Sequence, residues 1–330
     1  MAMIRSVAMG LLAASLGGRA AVISEDFAAE PAQHGWRVFG DASLFHWNAT
    51  NENLEVTWDS SHANTFFYRP LGTVLTKSDD FSFSFDLRLS DIRAGSNPNK
   101  PHEFEIAIGL LNYRNATNPL AFRGTGVSST YGVRNVVEFD YFPDAGFGDT
   151  VVTTVISTNN GFAYYNNFLT LRMDKVYRVT MSYSASNQVI HTFTTENGLP
   201  FGAMGDVMLG SKLDFDFRVD SFAVISYSDA IQAPPSTYNG SVLAHGVVDN
   251  VELVVPPQPL ANLHLKHTNS VWMAEFLTLT NWVYTLEGCS NFSAWTAMSS
   301  PTNGNGATVR LTDTDGLPTK RFYRVRAERP

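Results

Sequence analysis

The stretch FSFSFDLRL, residues 81–89, alternates apolar and polar side chains with a period of two residues. In an extended strand this period puts every second side chain on the same face. The apolar face consists of Phe81, Phe83, Phe85, Leu87 and Leu89. A strand with one apolar and one polar face is typical of an antiparallel sheet that packs on one side and meets solvent on the other. The stretch therefore predicts a half-buried strand.

Runs of the same kind follow along the chain, separated by clusters of Gly, Asn, Asp and Pro. They span residues 103–111, 135–142, 150–158, 176–185, 188–195, 217–228 and 247–255. The segment SASNQ, residues 184–188, has the composition of a hairpin turn between two of these runs. No amphipathic helix of useful length is evident. Many short strands without long helices predict an all-β fold of two packed antiparallel sheets.

The segment VVPPQPLA, residues 254–261, interrupts this pattern with three prolines in four positions. Proline lacks a backbone donor and favours an extended course, so this segment predicts a linker, residues 256–261, after a sandwich spanning residues 21–255. A small β module is expected at residues 262–330, closed by the strand RFYRVRA, residues 321–327. The side chains expected to fill its core are Trp272, Phe276, Trp282, Tyr284, Leu286, Trp295, Phe322 and Tyr323.

The first 20 residues have the features of a secretory signal peptide. Arg5 precedes an apolar run at residues 7–16, and within Gly18-Arg19-Ala20 the residues Gly18 and Ala20 are the small residues needed near a cleavage site. We expect cleavage after Ala20 and a secreted, extracellular or cell-surface protein. The apolar run is too short to span a bilayer, so no membrane insertion is expected.

Charge and cysteine content limit the partners and the means of stabilisation. The chain has 31 acidic and 23 basic residues and a net charge of -8. Nucleic acids and anionic membranes are poor partners for such a surface, whereas neutral glycans, cations and basic surfaces remain possible. Cys289 is the only cysteine, so an intramolecular disulfide is excluded and we expect the thiol to be buried as a small apolar group.

The segment VEFDYFPDAGFGD, residues 137–149, concentrates four carboxylates: Glu138, Asp140, Asp144 and Asp149. Like charges this close require compensation, and three interpretations stay open: a cation site, a catalytic acid pair or a solvated loop. On a strand, Glu138 and Asp140 face the same side, and a turn after them can bring Asp144 and Asp149 back over the same point. Calcium takes six to eight oxygen ligands, which this inventory with waters would supply.

The same segment resembles the metal-binding segment of the legume-type, concanavalin A-like lectins. In that family a strand carries Glu-x-Asp, an aromatic residue offers its carbonyl, and Asn, a further Asp and a His complete the sites for calcium and a transition metal. The resemblance implies that the metal ligands are Glu138, Asp140, the Phe142 carbonyl, Asp144 in place of the Asn, and Asp149. The family's His falls on Thr154. With oxygen ligands only, calcium is expected and no transition metal.

The resemblance also implies a concanavalin-like jelly-roll β-sandwich with a small β domain after it, as in exported bacterial proteins. HGVVDNVELVV, residues 245–255, resembles the closing strand of such domains. The family's Ala-Asp pair for sugar is missing, and its sugar-binding Asn is Asp144 here. The segment NNGFAYYNNF, residues 159–168, is the best candidate for a stacking platform, with Tyr164 and Tyr165 as ligand-binding residues. Ordinary surface packing is the alternative role for these tyrosines.

An enzyme is the competing class. Family 16 glycoside hydrolases, on the same sandwich, carry Glu-x-Asp-x-(x)-Glu on one strand, and Glu138 and Asp140 match only the first half. Phe142 and Pro143 occupy the positions of the second Glu, so no catalytic residue is assigned.

The sequence therefore predicts a secreted, non-catalytic carbohydrate-binding protein with a calcium-stabilised loop and a polysaccharide or glycoconjugate as partner. The alternatives are a structural or adhesive surface protein and, less favoured, a polysaccharide-cleaving enzyme.

Overall fold

The computed structural model describes residues 20–94, 106–118, 134–143, 149–210, 215–227, 242–268, 271–292, 294–313 and 322–329. The chain divides into two compact units, Ala20–Gln258 and Pro259–Pro330. The boundary between them lies inside the proline-rich segment at residues 254–261. In the described part of the chain, no helix has the length and apolar character needed to cross a bilayer.

The larger unit is built from strands. They are β1 (Ala21–Glu25), β2 (Arg37–Phe39), β3 (Phe45–Asn48), β4 (Asn53–Asp59), β5 (Thr65–Thr76), β6 (Phe81–Ala94), β7 (Ile106–Leu111), β8 (Val136–Phe142), β9 (Thr150–Ile156), β10 (Phe162–Asn167), β11 (Tyr177–Ser184), β12 (Val189–Glu196), β13 (Leu199–Pro200), β14 (Val207–Met208), β15 (Arg218–Ser226) and β16 (Val242–Val255). Within the described residues of this unit, the helical pieces are two 3-10 turns, Pro31–His34 and Ala42–Leu44, and the single-turn helix α1 (Tyr113–Ala116).

These strands form two antiparallel sheets. Among the described residues, a nine-stranded sheet has the order β13-β12-β11-β6-β16-β4-β3, with β1 paired to β16 and β14 paired to β12. A seven-stranded sheet has the order β10-β9-β8-β7-β15-β5-β2. The pair β11 and β12 runs antiparallel from Tyr177↔Glu196 to Ser184↔Val189, so the predicted hairpin at residues 184–188 is confirmed.

The two sheets pack face to face around one apolar core. The five apolar side chains predicted for one face of β6 are all buried in this core. Phe85 meets Phe139 of the opposite sheet at 5.8 Å between ring centroids, and Phe83 meets Phe222 at 5.7 Å. Each such side chain contributes about 1.5–3 kcal/mol on burial, and these contacts hold the sheets together. The predicted all-β sandwich is confirmed.

The seven-stranded sheet is apolar on its second face as well, which we call the outer face. A separate cluster of buried residues lies there: Phe66, Tyr68, Ala107, Leu111, Ala223, Ile225 and Tyr227. Every residue of β7 and of β9 is buried. These two strands are therefore covered on both faces, unlike β6, whose second face is largely accessible.

A buried carboxylate anchors the beginning of the larger unit. Glu25 accepts hydrogen bonds from the Phe27 backbone N–H at 3.0 Å and from Trp36 Nε1 at 2.9 Å. Its Oε2 also lies 2.9 Å from His34 Nδ1. The Trp36 ring stacks on Phe67 at 4.8 Å between centroids. One side chain thus ties the segment at residues 25–36 to the sandwich.

The smaller unit contains further strands. They are β17 (Leu260–Thr268), β18 (Val271–Thr278), β19 (Val283–Cys289), β20 (Thr296–Ala297), β21 (Thr302–Asn303), β22 (Thr308–Asp313) and β23 (Phe322–Glu328). In the described residues they form a three-stranded sheet, β17-β18-β22, and a four-stranded sheet, β20-β19-β21 with β23 paired to β19.

The core of the smaller unit contains fewer of the predicted side chains than the sequence suggests. Phe276, Trp282, Tyr284 and Leu286 are buried as expected, together with Cys289. The prediction that Trp272 and Phe322 fill this core is wrong, because both side chains are exposed. Phe322 lies on β23, where exposed residues alternate with half-buried ones, so the strand has no fully buried face.

Candidate functional site

The acidic pair on β8 lies on the outer face of the seven-stranded sheet. Val137 and Phe139 belong to the sandwich core, as the alternation predicts, and Glu138 and Asp140 take the opposite face. They are nevertheless buried, with 1% and 2% of their surface accessible. The carboxylates of Glu138 and Asp140 are therefore not solvated.

Each of the two buried carboxylates has a hydroxyl partner. The Tyr227 hydroxyl donates to Glu138 Oε2 at 2.9 Å, and the Thr154 hydroxyl donates to Asp140 Oδ2 at 2.5 Å. Burying an ionised carboxylate is costly unless hydrogen bonds or opposite charge compensate it. These hydroxyls supply part of that compensation within an apolar neighbourhood that includes Tyr227 itself.

Thr154 occupies the position that the resemblance gives to histidine. It stands directly opposite Glu138 in the pairing of β8 with β9, and its hydroxyl reaches the neighbouring Asp140. The residue at this position therefore interacts with the acidic pair, but through a hydroxyl donor. A hydroxyl does not offer the nitrogen ligand that a transition metal prefers.

Of the remaining predicted ligands, the structure describes Phe142 and Asp149. Burial and then the charge of Asp149 raise the pKa of the Tyr141 phenol, whose ring lies in the sandwich core. Asp149 thus contacts a side chain of the core face, while Glu138 and Asp140 occupy the outer face. Phe142 ends β8 and is half-buried. Asp144 lies outside the described residues. Within the described ranges, no three His, Cys, Asp or Glu side chains are grouped closely enough to hold a metal ion.

The predicted aromatic residues lie on β10, at the edge of the seven-stranded sheet. Tyr164 pairs with Thr154, which pairs with Glu138, so Tyr164 shares the outer face with the acidic pair. Its side chain is 60% exposed. Phe162, two residues earlier and on the same face, is 48% exposed. Phe162 is not among the binding residues predicted from the sequence, although its period-two spacing from Tyr164 is the signal that could have identified it.

Tyr165 faces the other way. A Cβ atom added to Gly205 would lie 2.3 Å from the Tyr165 ring, so this ring packs where only glycine leaves space. Asn167 holds the same segment, because its Oδ1 accepts from the Gly205 backbone N–H at 3.0 Å. The structure therefore separates the two predicted tyrosines, and only Tyr164 stands beside Phe162 on the outer face.

The solved structures similar to this chain include lectins. The winged bean acidic lectin complexed with methyl-alpha-D-galactose is 10% identical with a TM-score of 0.47, over 72% of this chain and 99% of that one. Peanut lectin with a 9mer peptide is 13% identical with a TM-score of 0.42, over 72% and 98%. The legume lectin-like domain from Entamoeba histolytica is 9% identical with a TM-score of 0.44, over 70% and 95%. At these identities and TM-scores the likeness carries no conclusion about function. No protein-family model and no curated protein sequence matches the chain.

Proposed function

We propose that this chain is a secreted, non-catalytic carbohydrate-binding protein whose ligand, a polysaccharide or glycoconjugate, lies against the outer face of β10. The observation that supports this most is the exposed pair Phe162 and Tyr164, two residues apart on one face of a sheet edge. Aromatic rings held at this spacing offer flat apolar area to the C–H faces of sugar rings, and the Tyr164 hydroxyl can exchange hydrogen bonds with sugar hydroxyls.

The charge of the larger unit favours a neutral ligand. Residues 20–258 contain 26 acidic and 14 basic side chains, so an anionic polymer would be repelled from its surface. Asn166, the next exposed residue on the same face of β10, adds amide donors and acceptors for hydroxyl groups. We therefore expect a neutral glycan.

Export and calcium belong to the same proposal. Residues 1–20 act as the signal peptide, with cleavage after Ala20. A calcium ion bound through Asp144 and the carboxylates of Glu138 and Asp140 stiffens the loop that follows β8. Carboxylate and carbonyl oxygens are the donors that this hard cation prefers. No transition metal is part of the site, because no imidazole stands at Thr154.

Tyr164→Ala is expected to weaken glycan binding about two- to twelvefold, because one aromatic stacking contact contributes about 0.5–1.5 kcal/mol. A glycan array identifies the ligand, and titration calorimetry with that glycan measures the loss. Tyr165→Ala is the matched control, since this neighbouring ring faces Gly205, and its affinity should match wild type. Equal losses in both variants would contradict a site on the outer face of β10.

The array also separates the alternative functions when it is run with and without a chelator. Saturable binding supports the carbohydrate-binding protein. A calcium-dependent melting shift without any glycan binding would instead assign a structural or adhesive role. Oligosaccharide released from a polysaccharide would identify an enzyme and overturn the non-catalytic proposal.

Asp140→Ala is expected to abolish the calcium-induced rise in melting temperature, because the ion would lose one ligand. Calcium at 100 times its dissociation constant stabilises a folded protein by about 2.7 kcal/mol, which differential scanning calorimetry resolves. Thr154→Val is the control, since it removes only the hydroxyl that donates to Asp140 and should keep the calcium shift. An unchanged calcium shift in Asp140→Ala would exclude this carboxylate as a ligand.

A further inference from the structure

The smaller unit exposes an aromatic cluster that its core does not use. Phe292 is 62% exposed and Phe322 is 43% exposed. Their ring centroids lie 3.8 Å apart, and Trp295 lies 6.3 Å from Phe292. Large apolar side chains that form a contiguous exposed group on a folded unit mark an interaction site. We call these three residues with Arg324 the aromatic–arginine surface.

Arg324 is held in position on this surface. Its guanidinium carbon lies 4.3 Å from the centroid of the Trp295 ring, and its Nε donates to Glu287 Oε2 at 2.7 Å. The second oxygen of the buried Glu287 lies 3.1 Å from Arg326 Nε. A carboxylate fixed between two guanidinium groups restricts the rotamer of Arg324, and stacking on Trp295 restricts it further.

The guanidinium of Arg324 keeps donors available for a ligand. Among the described residues, Arg324 forms its hydrogen bond through Nε alone, and its side chain is about half exposed. Its two terminal nitrogens can therefore donate in parallel to a carboxylate, the geometry in which a guanidinium binds that group most strongly. The exposed rings of Phe292 and Phe322 lie on the same surface.

We propose that the aromatic–arginine surface is a second binding site and that it takes a uronic acid residue of an acidic polysaccharide. Such a sugar has an apolar ring face for the aromatic side chains and a carboxylate for the Arg324 fork. This site goes beyond the function proposed above, which concerns β10 and a neutral glycan.

Charge complementarity favours this ligand on the smaller unit. Residues 259–330 contain seven basic and five acidic side chains, against 14 basic and 26 acidic in residues 20–258. An acidic polymer is therefore attracted to the smaller unit and repelled from the larger. An anionic lipid surface fits less well, because Glu287 and Glu328 offset the charges of Arg324 and Arg326. Recognition of a single carboxylate does not require a wide basic patch.

The test measures binding of oligogalacturonate, and of the same oligosaccharide after reduction of its carboxyl groups, to the full chain by titration calorimetry. We expect saturable binding of the uronate form and at least tenfold weaker binding of the reduced form. Arg324→Lys and Phe292→Ala should each weaken uronate binding at least fivefold, because lysine lacks the two-donor fork and alanine lacks the ring. Near-ultraviolet circular dichroism and the melting temperature establish that both variants are folded.

Arg310→Lys is the matched control. Arg310 is also an exposed arginine of the smaller unit paired with a glutamate, since its Nε lies 2.5 Å from Glu275 Oε2, and it lies outside the aromatic–arginine surface. Its uronate affinity should equal that of wild type. Equal binding of the reduced oligosaccharide by the Tyr164→Ala variant, in which the neutral-glycan site on β10 is weakened, or equal losses in Arg310→Lys and Arg324→Lys, would overturn the proposal. So would binding to phosphatidylglycerol vesicles without binding to uronate. Tyr164→Ala should leave uronate binding unchanged, so this site and the site on β10 succeed or fail separately.

Discussion

Replacing Glu25 by alanine is expected to lower the free energy of unfolding by about 4 kcal/mol, because removing one partner of a buried charged network leaves the others unsatisfied. The Phe27 backbone N–H and the Trp36 indole N–H would both lose their acceptor. Arg69 would lose the neighbouring negative charge of Glu25 as well. Burial lowers the pKa of its guanidinium, and the nearby charge of Glu25 raises it.

Urea unfolding followed by tryptophan fluorescence measures this loss, since Trp36 reports on the segment that Glu25 holds. Glu30→Ala is the control, because that carboxylate is exposed and its hydrogen bond from Gln33 is long, at 3.4 Å. Its unfolding free energy should stay within about 0.5 kcal/mol of wild type. A loss below about 1 kcal/mol in Glu25→Ala would show that the carboxylate is not the anchor of this segment.

Replacing Gly109 by alanine is expected to cost about 3 kcal/mol, the upper part of the range for overpacked sites. A Cβ atom there would lie 2.4 Å from the Val137 carbonyl oxygen and 2.6 Å from the Glu138 Cα. Both atoms belong to the backbone of β8, which cannot move aside as a flexible side chain can. Gly109 stands directly opposite Glu138, so β8 would be pushed away at the position of the acidic pair.

Equilibrium unfolding and a crystal structure of the variant test this expectation. Gly210→Ala serves as the control, because its nearest neighbour, Gln188 Oε1, would be 3.5 Å from the added carbon, an ordinary contact. The Glu138 to Tyr227 hydrogen bond should lengthen or break in Gly109→Ala and remain intact in the control. Wild-type stability in Gly109→Ala would show that β7 and β8 leave room for a Cβ atom at this position.

The sandwich could be predicted because the alternation of apolar and polar residues is visible within each strand's own sequence. In β6 the period of two residues determines which side chains reach the core, and that information is local. The turn at residues 184–188 is equally local, since its Ser and Asn residues favour a reversal of the chain. Trp272 and Phe322 were misassigned because an aromatic side chain indicates contact area without indicating whether its strand has a buried face.

The candidate site was less predictable, because its features arise from residues distant in sequence. Alternation gives the face of Glu138 and Asp140, but their burial depends on a cluster that includes Phe66 and Tyr227. Tyr227 is 89 residues from the carboxylate to which it donates. Tyr164 and Tyr165 were predicted as one platform, and only the recognition of β10 as a strand separates them onto opposite faces.

The pairing of β1 with β16 also determines how the larger unit can be joined to other polypeptides. Ala21 lies directly opposite Val255, so the first and last strands of the sandwich enter and leave at neighbouring points. Bridging such adjacent ends with a short peptide costs little closure entropy, since that cost grows only slowly with loop length. The sandwich is consequently suited to circular permutation and to insertion as a cassette into a surface loop of a host protein.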